Sequence, residues 1–328
     1  MMLLFVIILL GWFGHIVKCY YLTRRIHSIF TRTILTLLPC IVLSYISCVN
    51  LPQFQTTSIM IMAFCWFTSI RLVDLIMFTR DNCPTFSIYL RKIFWIYFPL
   101  LPVKSKRNGW PLKFYPILII SKLLVNHWIY CWCLFCRSDS LYGKVLLFYL
   151  SILTISYMYD VSIVLVRIST KGQYTLESFT DFPIFSLSLR SFWGQRYNRF
   201  VSTVLKESVF EPICWKYSSQ SMAALITFIV SGLFHVHMVF VASADVEHLF
   251  PTFIFFFLHG VACYLEGYIP NQFPVLLRWL LTNAFLLLTG PLVLDPFIKK
   301  GFPFLVVHPP PLSYFPWLPQ LPTLNFCR

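Results

Sequence analysis

Apolar residues are gathered into eight blocks about 17 to 25 residues long, each long enough to carry a helix across a hydrocarbon core. The pattern predicts spans at Leu3–Tyr20, Thr33–Val49, Thr57–Thr79, Tyr115–Cys136, Lys144–Ile168, Met222–Ala242, Leu249–Glu266 and Leu276–Leu294. Within the polar segment Arg80–Lys113 lies a shorter apolar stretch, Ile93–Leu101, closed by Pro99 and Pro102. Too short to span, it reads as an interfacial or re-entrant piece. The fold class expected is an all-α polytopic membrane protein of about eight transmembrane helices plus interfacial helices, residues 1–328 forming one membrane-embedded domain.

The first block lacks a basic leader and a small-x-small cleavage pattern before Arg24, so it reads as a retained span. Composition agrees with the blocks: 58% of residues are apolar and 12% charged, against roughly 45–50% and about 25% in an ordinary soluble domain. A formal charge of +14 in so apolar a chain points to anionic lipid and to membrane orientation, and no nucleic-acid partner is expected. Eleven cysteines, an odd number sitting mostly inside apolar blocks, argue against a disulfide framework. Cys131, Cys133 and Cys136 fall in a Trp/Phe-rich run, where thiols pack as small hydrophobes, and no metal is expected there. The Pro-rich tail Pro309–Pro322 reads as an irregular surface segment.

Basic residues fix the expected orientation. With the Arg24/Arg25/Arg32 loop in the cytosol, sixteen Lys and Arg fall on that side and four on the other. The positive-inside rule therefore favours cytosolic basic loops and an N-terminus on the far side.

Candidate chemistry concentrates in residues 188–242. Trp193, Tyr197, Phe200, Val201, Val204 and Leu205 share one helical face while Arg196, Arg199 and Lys206 lie off it, which predicts an amphipathic helix lying in the membrane surface. In the sixth span, Ala224, Thr227, Ser231 and His235 fall in one narrow sector with Gly232 beside it, a small and polar face in an otherwise apolar helix. A histidine at membrane depth must face a protein interior or a wet cavity. Helix geometry alone leaves two roles for His235, a bridge between helices or a neutral imidazole that accepts a proton. His237, about 200° around the helix, cannot share that face and reads as a packing residue.

Other intramembrane polar groups have plainer readings. Arg71 and Asp74, at i and i+3, can pair with each other, and Asp160 stands alone in its span. His127 has no assigned role, and a proton relay between His259 and Glu266, seven residues apart, is a weaker possibility than ordinary helix–helix bonding.

The string Ser191-Phe192-Trp193-Gly194-Gln195-Arg196-Tyr197-Asn198, followed about 35 residues later by Ser231-Gly232-Leu233-Phe234-His235, resembles the wax synthase branch of the membrane-bound O-acyltransferases. Plant members carry Phe-Trp-Gly-Arg-Arg-Trp-Asn and Ser-Gly-Leu-Met-His at this separation. Gln195, Tyr197 and Phe234 depart from that pattern, as does Val236, where plant members often have Glu after the histidine, which leaves the chemistry in place and the substrate open. The resemblance implies His235 as the catalytic histidine and Asn198 as the second active-site residue. Trp193 and Arg196 match the string without an assigned role and are placed, with Ser231, on the substrate side.

The same resemblance implies an acyl-CoA-dependent transfer to a lipid alcohol, a wax ester being the expected product, in a multi-pass protein of the endoplasmic reticulum. Acyl-CoA is then a co-substrate, and no cofactor is expected. A positioned base suits a hydroxyl of high pKa, and an amide such as Asn198 can donate to a developing oxyanion. His235 lies deep in its span and Asn198 at a surface, so a descending tunnel or a dipping helix is expected between them. Sterol or diacylglycerol acceptors remain open, as does a transporter or lipid-binding role, although no pair of Gly/Pro-broken helices in matching halves supports transport. Neither His-x-x-x-x-Asp nor Gly-x-Ser-x-Gly occurs, so direct transfer is expected in preference to a covalent serine route.

Overall fold

The structure, a computed structural model, describes residues 2–53, 55–78, 85–97, 99–103, 111–135, 141–268, 273–295, 309–315 and 318. Eight helices among them are long and apolar enough to cross a membrane, as the hydrophobic blocks predict. Backbone packing groups the residues into two compact units, one of residues 1–98 and 200–270, the other of residues 99–199 and 271–328.

The first unit opens with α1 (Met2–Tyr21), α2 (Ile29–Cys48) and α3 (Thr56–Met77). Ser28 starts α2 by accepting the Thr31 N–H at 3.3 Å, which satisfies one donor of the helix's first turn. Trp12, Ile16 and Cys19 of α1, Cys40 of α2 and Cys65, Leu72 and Ile76 of α3 make a buried core. The interfacial piece forms earlier than its apolar run suggests, as α4 (Phe86–Phe94), capped by Thr85. This helix turns Tyr89 and Ile93 into the same core, and the Tyr89 hydroxyl donates to the Ile16 carbonyl at 3.1 Å.

The unit is completed by α8 (Arg199–Leu205, its first residue excepted), α9 (Glu211–Tyr217), α10 (Gln220–Ser243) and α11 (Leu249–Glu266). Met62 and Phe67 of α3, Val204 of α8, and Phe234 and Val241 of α10 form a second buried cluster. Two glycines bring α10 and α11 together. A Cβ at Gly232 would sit 3.1–3.2 Å from Phe253 and Phe256, and one at Gly260 would sit 2.9 Å from the Phe228 Cβ. Small residues admitting close helix approach are a usual device of packing in lipid.

The second unit contains α5 (Tyr115–Phe135), α6 (Leu141–Ser169), α7 (Leu189–Ser191) and α12 (Val275–Thr289). It also holds an antiparallel pair of short strands, β1 (Leu100–Pro102) and β2 (Tyr174–Leu176), with Leu101 opposite Thr175. Leu100 and Leu101, assigned to the interfacial stretch, are thus strand: Pro102 disfavours helical backbone at the residue before it. Ile129, Tyr130 and Cys133 of α5 pack on Leu150 of α6. Cys131 and Cys133 are free thiols, Cys133 inside that apolar cluster, while Cys136 lies outside the described residues.

Polar bonds stitch α5 to α6. Buried Asn126 donates to the Leu150 carbonyl at 3.2 Å and to the Thr154 hydroxyl at 2.9 Å. Asp160 is not alone, because the Lys122 ammonium forms an ion pair with it and donates to Ser156 at 2.8 Å. Opposite charges on adjacent spans lower the cost of each in an apolar setting. In the first unit, Arg71 does more than the local pairing with Asp74 that its spacing suggests. Its guanidinium pairs with Glu207 at 2.7 Å and donates to Ser208 at 2.9 Å, and the Ser208 hydroxyl reaches Asp74 at 3.3 Å.

Candidate active site

The motif Phe192–Asn198 does not continue as one surface helix. Ser188 caps α7 by accepting the Ser191 N–H at 2.9 Å, and the chain then widens into a π turn over Phe192–Arg196, closed by the Tyr197 N–H on the Phe192 carbonyl at 2.8 Å. Tyr197 and Asn198 lie outside helix, and α8 starts anew at Arg199. The apolar spacing runs through this break because a π turn shifts the period without removing hydrophobic residues. From Phe200 onward the expected face holds: Phe200, Val204 and Leu205 are buried.

Three aromatic rings shape the turn. Phe192 stacks on Tyr197 at 5.1 Å, and Trp193 meets Phe192 and Tyr197 edge to face at 5.0 and 5.2 Å. Tyr197 therefore packs as one ring of an aromatic cluster. Burial pushes its phenol up to about 12, so it stays protonated and keeps a donor.

The loop ahead of the motif clamps the turn. The Asp181 N–H donates to the Arg196 carbonyl at 2.8 Å, and the Arg196 guanidinium donates back to the carbonyls of Asp181 and Phe182, each at 3.3 Å. Arg199 pairs with Glu177 at 2.9 Å, and its N–H donates to the Phe179 carbonyl at 3.0 Å. Half-buried Asn198 sits between these two anchored arginines. The loop is itself held by α12, where the Trp279 indole donates to the Ile184 carbonyl at 2.8 Å. Phe182 takes a left-handed backbone, φ 42°, uncommon for a bulky residue and retained only where the surroundings enforce it.

In the other unit, α10 presents His235. Its Nδ1 lies 2.7 Å from the Ser231 carbonyl. A carbonyl can only accept, so Nδ1 carries the proton, and the neutral ring leaves Nε2 with its lone pair. Phe256 of α11 stacks on the imidazole at 4.0 Å and 24°, and Phe234 meets it edge to face at 4.9 Å. Ser231 thus contributes its backbone carbonyl to the site, with its side chain buried.

The remaining histidines differ in setting. His237 accepts from the Trp66 indole through Nδ1 at 2.8 Å, packing against α3 as its position around the helix predicts. His259 is fully buried, donates Nδ1–H to the Phe255 carbonyl at 2.7 Å and lies against the Phe255 ring at 4.1 Å, tilted by 45°. His127 lies beside Cys131, Nε2 to Sγ 3.6 Å. Among the described residues, Asp245, Glu247 and His248 bring three ligand-type atoms within 4.8 Å of one another. Asp245 accepts from the Glu247 N–H at 3.1 Å and meets His248 Nδ1 at 3.0 Å, so these bonds close the turn between α10 and α11 on itself.

Residues 176–258 match the membrane bound O-acyl transferase family, a stretch that contains both motifs. Over most of its length the chain is similar to two proteins of Arabidopsis thaliana, Probable long-chain-alcohol O-fatty-acyltransferase 9 and Probable long-chain-alcohol O-fatty-acyltransferase 6. The first is 27% identical over 88% of this chain and 90% of its own. The second is 27% identical over 85% of this chain and 84% of its own. An Acyl-CoA--sterol O-acyltransferase 1 of the same plant is 30% identical over 35% of this chain and 36% of its own.

Proposed function

We propose that this chain, whose residues 176–258 match the membrane bound O-acyl transferase family, transfers a fatty acyl group from acyl-CoA to the hydroxyl of a long-chain alcohol, yielding a wax ester and CoA. The observation that carries the reading is the His235 imidazole. Its Nδ1–H is committed to the Ser231 carbonyl, which leaves Nε2 as the proton acceptor, and it lies inside the matched stretch.

The steps start from that ring. As the alcohol oxygen attacks the thioester carbonyl carbon, its proton passes to His235 Nε2, a contribution of about 10²- to 10⁴-fold. The tetrahedral intermediate collapses, the carbon–sulfur bond breaks, and the imidazolium returns its proton to the departing thiolate. Asn198, through its amide, serves as donor to the developing oxyanion, with Trp193, Arg196 and Ser231 on the substrate side. The clamps at Arg196 and Arg199 support the Asn198 assignment by holding the turn that carries it. Chemistry of this kind calls for no metal. The membrane in question is that of the endoplasmic reticulum, with acyl-CoA arriving from the cytosol.

Similarity to a sterol-acylating protein over part of the chain favours a sterol as the second acceptor to try. The test is expression in a host lacking neutral-lipid synthesis, fed fatty alcohol, sterol or diacylglycerol in turn. Wax ester made only with fatty alcohol is the expected product. Steryl ester in its place would move the acceptor, and absence of any ester from a well-inserted protein would overturn the reading.

A further inference from the structure

We infer that Phe256 is a positioning residue that fixes the plane of the His235 imidazole, and that Gly232 seats Phe256 in that place. The inference rests on the reading of His235 as the base. One hydrogen bond from Nδ1 to the Ser231 carbonyl holds a single edge of the ring, and the ring can still swing about that bond. The second constraint comes from α11, where Phe256 lies face to face with the imidazole at 4.0 Å and 24°. Together with the edge-on contact of Phe234 from the same helix, these two set the direction of the Nε2 lone pair.

Phe256 is able to impose that constraint because it cannot itself move. It is 2% exposed, and Phe255 packs edge to face on it at 5.0 Å and 82°. Its own Cβ faces Gly232, where any side chain would begin 3.2 Å away. Glycine at 232 therefore does more than permit close helix packing. It admits the aromatic ring that abuts the histidine one turn away. The aromatic face also attracts the positive imidazolium that forms as the proton arrives. A base must come within about 2.6–3.2 Å of the hydroxyl, and about 1 Å of misplacement costs on the order of 10²-fold.

Phe255 supplies the control. It is the neighbouring residue, equally buried, yet its ring lies on His259 and not on His235. In full-length protein reconstituted with acyl-CoA and alcohol, Phe256→Leu is expected to lower turnover by about tenfold or more while both KM values change by less than about twofold. Phe255→Leu, per folded molecule, should lose several-fold less turnover than Phe256→Leu, because Phe255 meets Phe256 only at its edge and does not touch the His235 ring. Should Phe256→Leu fail to accumulate, Phe256→Met fills the volume with a flexible chain and should show the same split. Equal losses at 255 and 256, or wild-type turnover in Phe256→Leu while His235→Ala is inactive, would overturn the inference. Full turnover in His235→Ala would instead remove the base assignment on which it rests.

Discussion

His235 and His237, two residues apart on α10, are held in opposite tautomers. His235 gives its Nδ1 proton to the Ser231 carbonyl, whereas His237 receives the Trp66 indole proton at Nδ1. In their neutral forms the first ring offers a lone pair at Nε2 and the second offers an N–H there. The helix turns them to different faces, one toward Phe256 of α11 and the other toward Trp66 of α3. Two imidazoles of one helix are thereby differentiated into an acceptor and a donor by their partners alone.

His235→Ala should reduce acyl transfer by at least about 10²-fold, the lower bound for losing a general base, in protein that inserts and accumulates normally. His237→Ala should keep most turnover and lose stability instead, by about 1–3 kcal/mol, because the Trp66 donor is left without its acceptor. Turnover and thermal midpoint measured on both variants separate the two roles. A loss of turnover confined to His237→Ala would assign the base to the other ring.

Basic-residue asymmetry predicts that the segment from Lys171 to Lys216 faces the cytosol. A glycosylation acceptor inserted near Gln173, in the exposed turn between α6 and β2, should remain unmodified. Modification at that site would reverse the orientation and the side from which acyl-CoA enters.

Legibility in the sequence depended on which forces act locally. Spans were readable because lipid demands long unbroken apolar blocks, and α11 occupies the predicted limits Leu249–Glu266. Opposite faces for His235 and His237 come from helical geometry and hold in the structure. The break at Tyr197 and Asn198 was hidden, since apolar residues recur at helical spacing on both sides of it. β1 and β2 are three residues each and lie more than 70 positions apart, too short for alternation to register. Distant charge partners were hidden too. Arg71 suggested Asp74 by spacing, while Glu207 comes to it from another segment of the chain. Lys122 could have been matched to Asp160, because two opposite charges in consecutive spans rarely stay apart.

That ion pair yields a stability prediction. Lys122 and Asp160 are both largely buried, with side-chain exposures of 17% and 8%. Removing one partner leaves the other charge uncompensated, so Lys122→Met or Asp160→Asn alone should cost about 3–5 kcal/mol. The combined Lys122→Met, Asp160→Asn variant should cost less than the sum of the single changes, since neither charge remains to be buried. Thermal unfolding in detergent micelles or nanodiscs reads the comparison. Additive losses in the double variant would show that the two groups do not depend on one another.

The pair Glu177–Arg199 should govern turnover more than stability. Arg199 directly follows Asn198, and its 2.9 Å contact with Glu177 ties the start of α8 to the loop ahead of the motif. Arg199 is about a third exposed, so the energy of this ion pair is modest, on the order of 1 kcal/mol or less. Its place in the chain gives it leverage on geometry, because releasing it frees the residue next to the proposed oxyanion donor. Arg199→Ala is therefore expected to lower turnover about tenfold, within the loss that 1 Å of misplacement produces, while shifting the thermal midpoint little. The charge-swapped variant Glu177→Arg with Arg199→Glu should recover part of the lost turnover, since the same two positions again attract each other. Equal turnover in wild type and Arg199→Ala would show that the turn holds Asn198 without this pair. Failure of the swap alongside a large drop in midpoint would assign both residues to packing.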